Sequence, residues 1–155
     1  MKHKRKMKKF KSLIKTVYFG GTFDILNWGH CKAFEMCKRY GDYLIVGLNT
    51  DKLVRSYKQR EPVLPYVQKK FILESIKYVD NVIPVHHFSP MNILKEITPD
   101  VFCVGNEWVG VHKKEISFVR DYGGEIRFIP DFKGVVHTSA IKKILLEEAL
   151  KGVKD

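Results

Sequence analysis

Short apolar runs alternate along the chain with segments whose apolar residues recur every three or four positions. This is the pattern of strand–helix units that wind a parallel sheet. Thr16-Val17-Tyr18-Phe19 reads as the first strand, and 28–39 as a helix with Ala33, Phe34, Met36 and Cys37 at helical spacing, closed by Gly41-Asp42. The unbroken apolar run 43–48 predicts a parallel strand buried on both faces. Asn49-Thr50-Asp51 opens a short helix through Lys52 and Leu53, with Thr50 or Asp51 as its cap. The stretch 56–65 is polar, basic and broken by Pro62 and Pro65, which predicts a loop. Residues 65–78 then read as a helix begun by Pro65, with Phe71, Ile72 and Ile76 turned inward. Strands are expected at 81–85, 101–105 and 125–129, and helices at 92–97 and 114–122. A closing helix at 138–150 carries Ile141, Ile144, Leu145 and Ala149 on one face. The implied architecture is α/β: a Rossmann-like, doubly wound, five-stranded parallel sheet with helices on both faces.

In such sheets ligands bind beyond the carboxyl ends of the strands, where the winding reverses. Three segments reach that edge: the turn at 20–30, the loop at 105–108, and the turn before Thr138. They are distant in sequence and converge in space, so one site is expected.

At 155 residues the chain is long enough for one substantial core. No apolar run approaches the ~20 residues of a membrane span, and the basic start is not followed by the apolar segment of a secretory signal. Cys31, Cys37 and Cys103 are odd in number and lack CxxC spacing, which points to free thiols in a reducing cytoplasm. The net charge of +11 is unevenly placed. Residues 1–15 hold eight basic and no acidic residues, which leaves +3 for the rest. That start, 1–15, reads as a basic, disordered arm, followed by one domain at 16–155. Only Phe10 interrupts it, so the aromatic interleaving of single-strand binders is missing. A nucleic-acid or anionic-surface contact through the arm stays an alternative.

The stretch 19–30 reads Phe-Gly-Gly-Thr-Phe-Asp-Ile-Leu-Asn-Trp-Gly-His. A strand that breaks at two glycines and re-enters a helix leaves backbone N–H groups aimed at one spot, and the helix mouth adds about half a positive charge there. Gly20, Gly21 and Gly29 let backbone approach a phosphate closely, and His30 projects from the first turn.

Gly21-Thr22-Phe23-Asp24 with Asn27-Trp28-Gly29-His30 closely resembles the GTFD…HxGH signature of the cytidylyltransferase-like nucleotidyltransferases. The resemblance runs from about Thr16 to Ile144 and is strongest to the glycerol-3-phosphate cytidylyltransferases. It includes 41–46, the loop carrying Lys58 and Arg60, 72–80, 105–108 and 137–141. Asn27 stands where most members carry the first histidine, and 131–139 lacks the arginine that those enzymes place before Gly134. Met91 falls where the glycerol-phosphate enzymes carry a substrate-binding lysine.

The resemblance implies transfer of a nucleotidyl group, CMP from CTP favoured, to a phosphorylated alcohol or sugar with release of pyrophosphate. An adenylyltransferase using ATP and a non-catalytic nucleotide-binding module are the alternatives. It implies His30, Asn27 and Lys58 as catalytic residues. Gly21, Thr22, Phe23, Gly29, His30, Arg60, Gly105, Thr138 and Ser139 would bind nucleotide, and Lys58, Asp24, Trp108 and Lys77 the acceptor. Mg²⁺ is expected with the triphosphate rather than in a protein-built site, since His86, His87 and His112 have no partners at metal spacing. A homodimer is expected by resemblance. A phosphate monoester is already anionic at neutral pH, so the absence of a Ser/His/Asp or Cys/His arrangement fits this chemistry.

Overall fold

A computed structural model of the chain describes residues 13–132 and 137–152. Residues 1–12 of the basic arm and the 133–136 part of the turn before Thr138 lie outside them. The five predicted strands form: β1 (Thr16–Gly21), β2 (Tyr43–Asn49), β3 (Asn81–Val85), β4 (Val101–Gly105) and β5 (Glu125–Ile129). All neighbours are parallel in the order β3-β2-β1-β4-β5. The order reverses at β1, whose carboxyl end therefore opens between two crossovers.

Six α-helices connect the strands among the described residues: α1 (Trp28–Lys38), α2 (Asp51–Lys58), α3 (Tyr66–Glu74), α4 (Met91–Ile97), α5 (Lys113–Asp121) and α6 (Thr138–Lys151). They cover both faces. On one side Phe34 and Cys37 of α1 and Leu73 of α3 pack on Val17, Leu44, Val46 and Val101. On the other, Leu94 of α4 and Ile116 and Val119 of α5 pack on Tyr18, Ile45 and Phe102. The alternation of Val17 and Tyr18 across the sheet follows from the twofold period of a strand.

Two sequence expectations change. α2 runs through Lys58 and ends on Gln59 in a left-handed conformation, so the loop begins at Gln59 rather than at Ser56. The helix expected over 65–78 stops at Glu74, and it presents a different face to the core: Phe71 is 72% exposed and Ile72 borders solvent, while Lys69 and Leu73 are fully buried. Ile76 packs at the edge of the core, as expected. A nine-residue helix with apolar residues around most of its circumference does not specify its inward face by pattern.

Acidic residues tie the amino-terminal edge of the sheet. Asp100, just before β4, accepts from the N–H and hydroxyl of Thr16, and Asp80, just before β3, accepts from the N–H of Leu44. Each satisfies a strand-opening donor that the ladder leaves unpaired. Gly47 is required by packing, because a Cβ there would lie 2.2 Å from the Tyr18 hydroxyl.

Candidate active site

The turn between β1 and α1 is held in an unusual backbone conformation. Phe23 and Ile25 lie at φ 47° and 52°, in the left-handed region that bulky and β-branched residues avoid. Asp24, between them, is what holds the bend. It is buried, accepts from the N–H groups of Val63 and Leu64 at 3.1 Å each, and pairs with Lys142 Nζ at 2.9 Å. Its carbonyl accepts from the Thr138 hydroxyl. Burial pushes the Asp24 carboxyl up, and the Lys142 ammonium and the two amides outweigh it, so the group sits below the usual carboxylate range. One side chain thus joins the glycine turn, the loop after α2 and the start of α6. Such strain persists where the surroundings over-determine it, as around active sites.

Asn27 caps α1. Its Oδ1 accepts from Gly29 N–H at 3.0 Å, and its Nδ2 reaches Ile25 O and the Thr138 hydroxyl. His30 completes a reciprocal cap, with Nδ1 accepting from Asn27 N–H at 3.2 Å. That bond fixes the tautomer: the proton of the neutral ring is on Nε2, which is a donor. Burial, with a smaller contribution from His137, lowers the His30 pKa to about 4. At neutral pH the ring is an uncharged hydrogen-bond donor, held edge-on to Phe23.

Two cavities meet at this imidazole. The larger, about 380 Å³, opens over β1 toward β2 and β3, and the smaller, about 300 Å³, lies between the mouths of α1 and α6. Phe19, His30, Gly105, Glu107, Thr138 and Ser139 line both. Asn27 and Gly29 belong to the smaller cavity, with Ile129, Pro130 and Phe132 opposite. Gly21, Thr22, Phe23, Asp24, Lys58, Arg60 and Trp108 line the larger one. Burial and the nearby Arg60 guanidinium lower the Lys58 pKa. Thirteen of the fourteen residues expected at the site are thereby gathered around two adjoining spaces. Lys77 is apart: it lines neither cavity and lies 4.9 Å over the ring of Tyr78.

Sequence reasoning did not single out several residues of the larger cavity. Asn49 and Tyr57 join Thr22, which the sequence did point to, in a hydrogen-bonded trio in its lining. Phe88 packs edge-on against Tyr57 and Trp108, and His112 stacks on Trp108. Their signal was positional: Asn49 ends β2, Phe88 follows β3 and Glu107 follows β4, all at the carboxyl edge.

The arrangement can do one kind of chemistry well. Two helix mouths and a neutral imidazole donor surround a junction between two spaces, one of them lined by Lys58 at the end of α2 and Arg60 just after it, which suits joining two phosphorylated molecules at a phosphorus.

A family model described as cytidylyltransferase-like matches residues 18–144. The glycerol-3-phosphate cytidylyltransferase of Bacillus subtilis (strain 168) is 36% identical over 132 residues, covering 84% of this chain and 98% of that protein. The Staphylococcus aureus (strain NCTC 8325 / PS 47) protein of the same name is 35% identical over 85% of this chain and 96% of its own length. The bifunctional protein HldE of Geobacter metallireducens is 32% identical over 84% of this chain, which spans 27% of that longer protein. Among solved structures, the lipopolysaccharide core biosynthesis protein of Thermoplasma volcanium GSS1 shares the fold, with a TM-score of 0.66 at 24% identity over 79% of this chain and 99% of that one. The capped glycine turn, the imidazole it holds and a match that spans most of the chain make this protein a member of the cytidylyltransferase-like family of nucleotidyltransferases.

Proposed function

We propose that the chain transfers CMP from CTP to a phosphorylated alcohol or sugar, with the base and outer phosphates in the smaller cavity, the triphosphate reaching Gly21, Thr22, Phe23 and Arg60 across the shared wall, and the acceptor in the larger cavity. A triphosphate carries the higher charge, and the mouths of α1 and α6 converge on the smaller space, whose apolar walls at Ile129, Pro130 and Phe132 suit a base. CTP is favoured by the names of the glycerol-3-phosphate cytidylyltransferase relatives.

An oxygen of the acceptor phosphate attacks the α-phosphorus, the bond to the β-phosphate breaks, and pyrophosphate leaves with the electron pair. No proton need be removed from the nucleophile, so positioning and charge stabilisation supply the catalysis. His30 Nε2–H donates to the oxygens that gain charge. Lys58 neutralises the acceptor phosphate and Arg60 the triphosphate, and Thr138 and Ser139 at the mouth of α6 hold the outer phosphates. Mg²⁺ would accompany the triphosphate and offset its charge. The three thiols, all free, agree with a cytoplasmic setting. Exposed Ile144, Leu145 and Leu150 on α6 would serve a homodimer.

The observation that carries this reading is the position of His30 in the wall shared by both cavities, with its tautomer fixed by Asn27. The test is pyrophosphate release from CTP or ATP with Mg²⁺ and a panel of phosphorylated alcohols and sugars. Turnover with CTP is expected, and His30→Ala should lower kcat/KM by 100-fold or more, about 3 kcal/mol. Tight CTP binding with no release across the panel would sink the transferase reading.

A further inference from the structure

The larger cavity carries, outside the wall it shares with the smaller one, a second imidazole that the transfer chemistry does not use. His112 lines that cavity, with its ring stacked on Trp108 at 5.7 Å and tilted against Phe88 at 6.2 Å. Glu115 on α5 is buried beside it, a costly place for a carboxylate. Oε1 of Glu115 accepts from the Ser89 hydroxyl, and Ser89 in turn accepts from Met91 N–H. Oε2 lies 3.8 Å from His112 Nδ1. The carboxylate therefore faces one nitrogen of the ring and leaves Nε2 as the other polar atom. Phe88 and Trp108, 46% and 36% exposed, flank it with apolar surface. An oriented polar group set among aromatic rings is how a binding pocket reads a hydroxyl on an otherwise carbon-rich body.

Resting on the assignment of the acceptor to this cavity, we propose that His112 is a specificity-determining residue. It hydrogen-bonds a hydroxyl of a polyhydroxylated phosphate ester, with Glu115 as its positioning residue. The acceptor's phosphate lies toward Lys58 and His30, and its hydroxyl-bearing body runs along Phe88 and Trp108 to His112. The acceptor is then selected at both ends, by charge at one and by a hydroxyl at the other.

The experiment compares acceptor and CTP kinetics in the full-length enzyme, followed by pyrophosphate release. The acceptors are glycerol 3-phosphate, ribitol 5-phosphate and glucose 1-phosphate, together with the deoxy analogues of whichever turns over. His112→Phe keeps a ring against Trp108 and Phe88 but removes both nitrogens. It should raise the acceptor KM about ten- to a hundredfold, the worth of one buried hydrogen bond, with the CTP KM unchanged. His112→Gln should recover part of the loss, and Glu115→Gln should raise the acceptor KM less than His112→Phe does. One deoxy analogue should be a poor acceptor for the wild type and suffer no further loss in His112→Phe. An unchanged acceptor KM in His112→Phe, or equal losses for acceptor and CTP, would overturn the assignment. Failure of the wild type to release pyrophosphate with every acceptor would instead overturn the transfer reaction on which it rests.

Discussion

His30 performs two tasks that pull on the same ring. Its Nδ1 closes the cap of α1, and the consequence is that Nε2 is committed as a donor. With the pKa lowered to about 4, the folded protein holds this ring neutral where the unfolded chain, near 6.5, binds a proton. Between those values the unfolded state binds more protons, so this residue's contribution to stability grows as pH rises and is lost as pH falls toward 4. Urea midpoints of the wild type should therefore drop more between pH 7 and pH 5 than those of His30→Gln. The acid limb of the rate profile should come from the acceptor phosphate, whose second pKa is near 6, and should stay in place in His30→Gln while the rate falls. Asn27→Ala should cost ~1 kcal/mol through the lost cap, read from urea denaturation, with a smaller loss of rate than His30→Ala. The residue types of this turn were legible because glycine, a capping side chain and histidine at fixed spacing have few structural explanations together. The tautomer was not legible, since it depends on a backbone donor that only the folded turn aims at Nδ1.

The attachment of α6 belongs to the scale of elements. None of its residues is buried, and its described polar ties to the site run through Thr138 and Lys142 to Asp24 and Asn27. Asp24 also pins the loop after α2 through Val63 and Leu64, so a single carboxylate sets the distance between two walls of the site. Asp24→Asn should cost ~3 kcal/mol at neutral pH by leaving Lys142 unpaired. The stabilisation is present above the ordinary carboxylate range and lost as pH falls below it, because the folded pKa is the lower one. Hydrogen exchange should show loop 59–65 and the first turn of α6 loosening together in that variant; loosening of only one would break the link. Sequence patterning located every strand because each apolar run is short and bounded by turn residues. It mis-assigned the inward face of α3, since a buried lysine is read as solvated until Asp51, 3.6 Å from its ammonium, is seen beside it.

For the molecule as a whole, core and site are continuous. Fully buried Phe34 packs against Phe19 and Phe23, and Phe23 meets the edge of His30, so the hydrophobic interior runs directly under the imidazole. Phe34→Ala should destabilise by about 3–5 kcal/mol and, at temperatures where the variant remains folded, should lower kcat as the ring beneath His30 shifts. Phe34→Leu should retain most of both. Calorimetry and pyrophosphate release on the same samples check the pair. The doubly wound sheet and its carboxyl-edge site could be read from alternating patterns, whereas the convergence of Tyr57, Phe88 and His112 depends on strand order, which periodicity does not encode.

The shared wall between the cavities also bears on the end of the reaction cycle. A molecule made by joining the two substrates occupies both chambers at once and keeps the grip of each except at the departed outer phosphates. It should leave slowly and, when added back, compete with either reactant, so that flux through this enzyme is throttled by whatever step next removes its product.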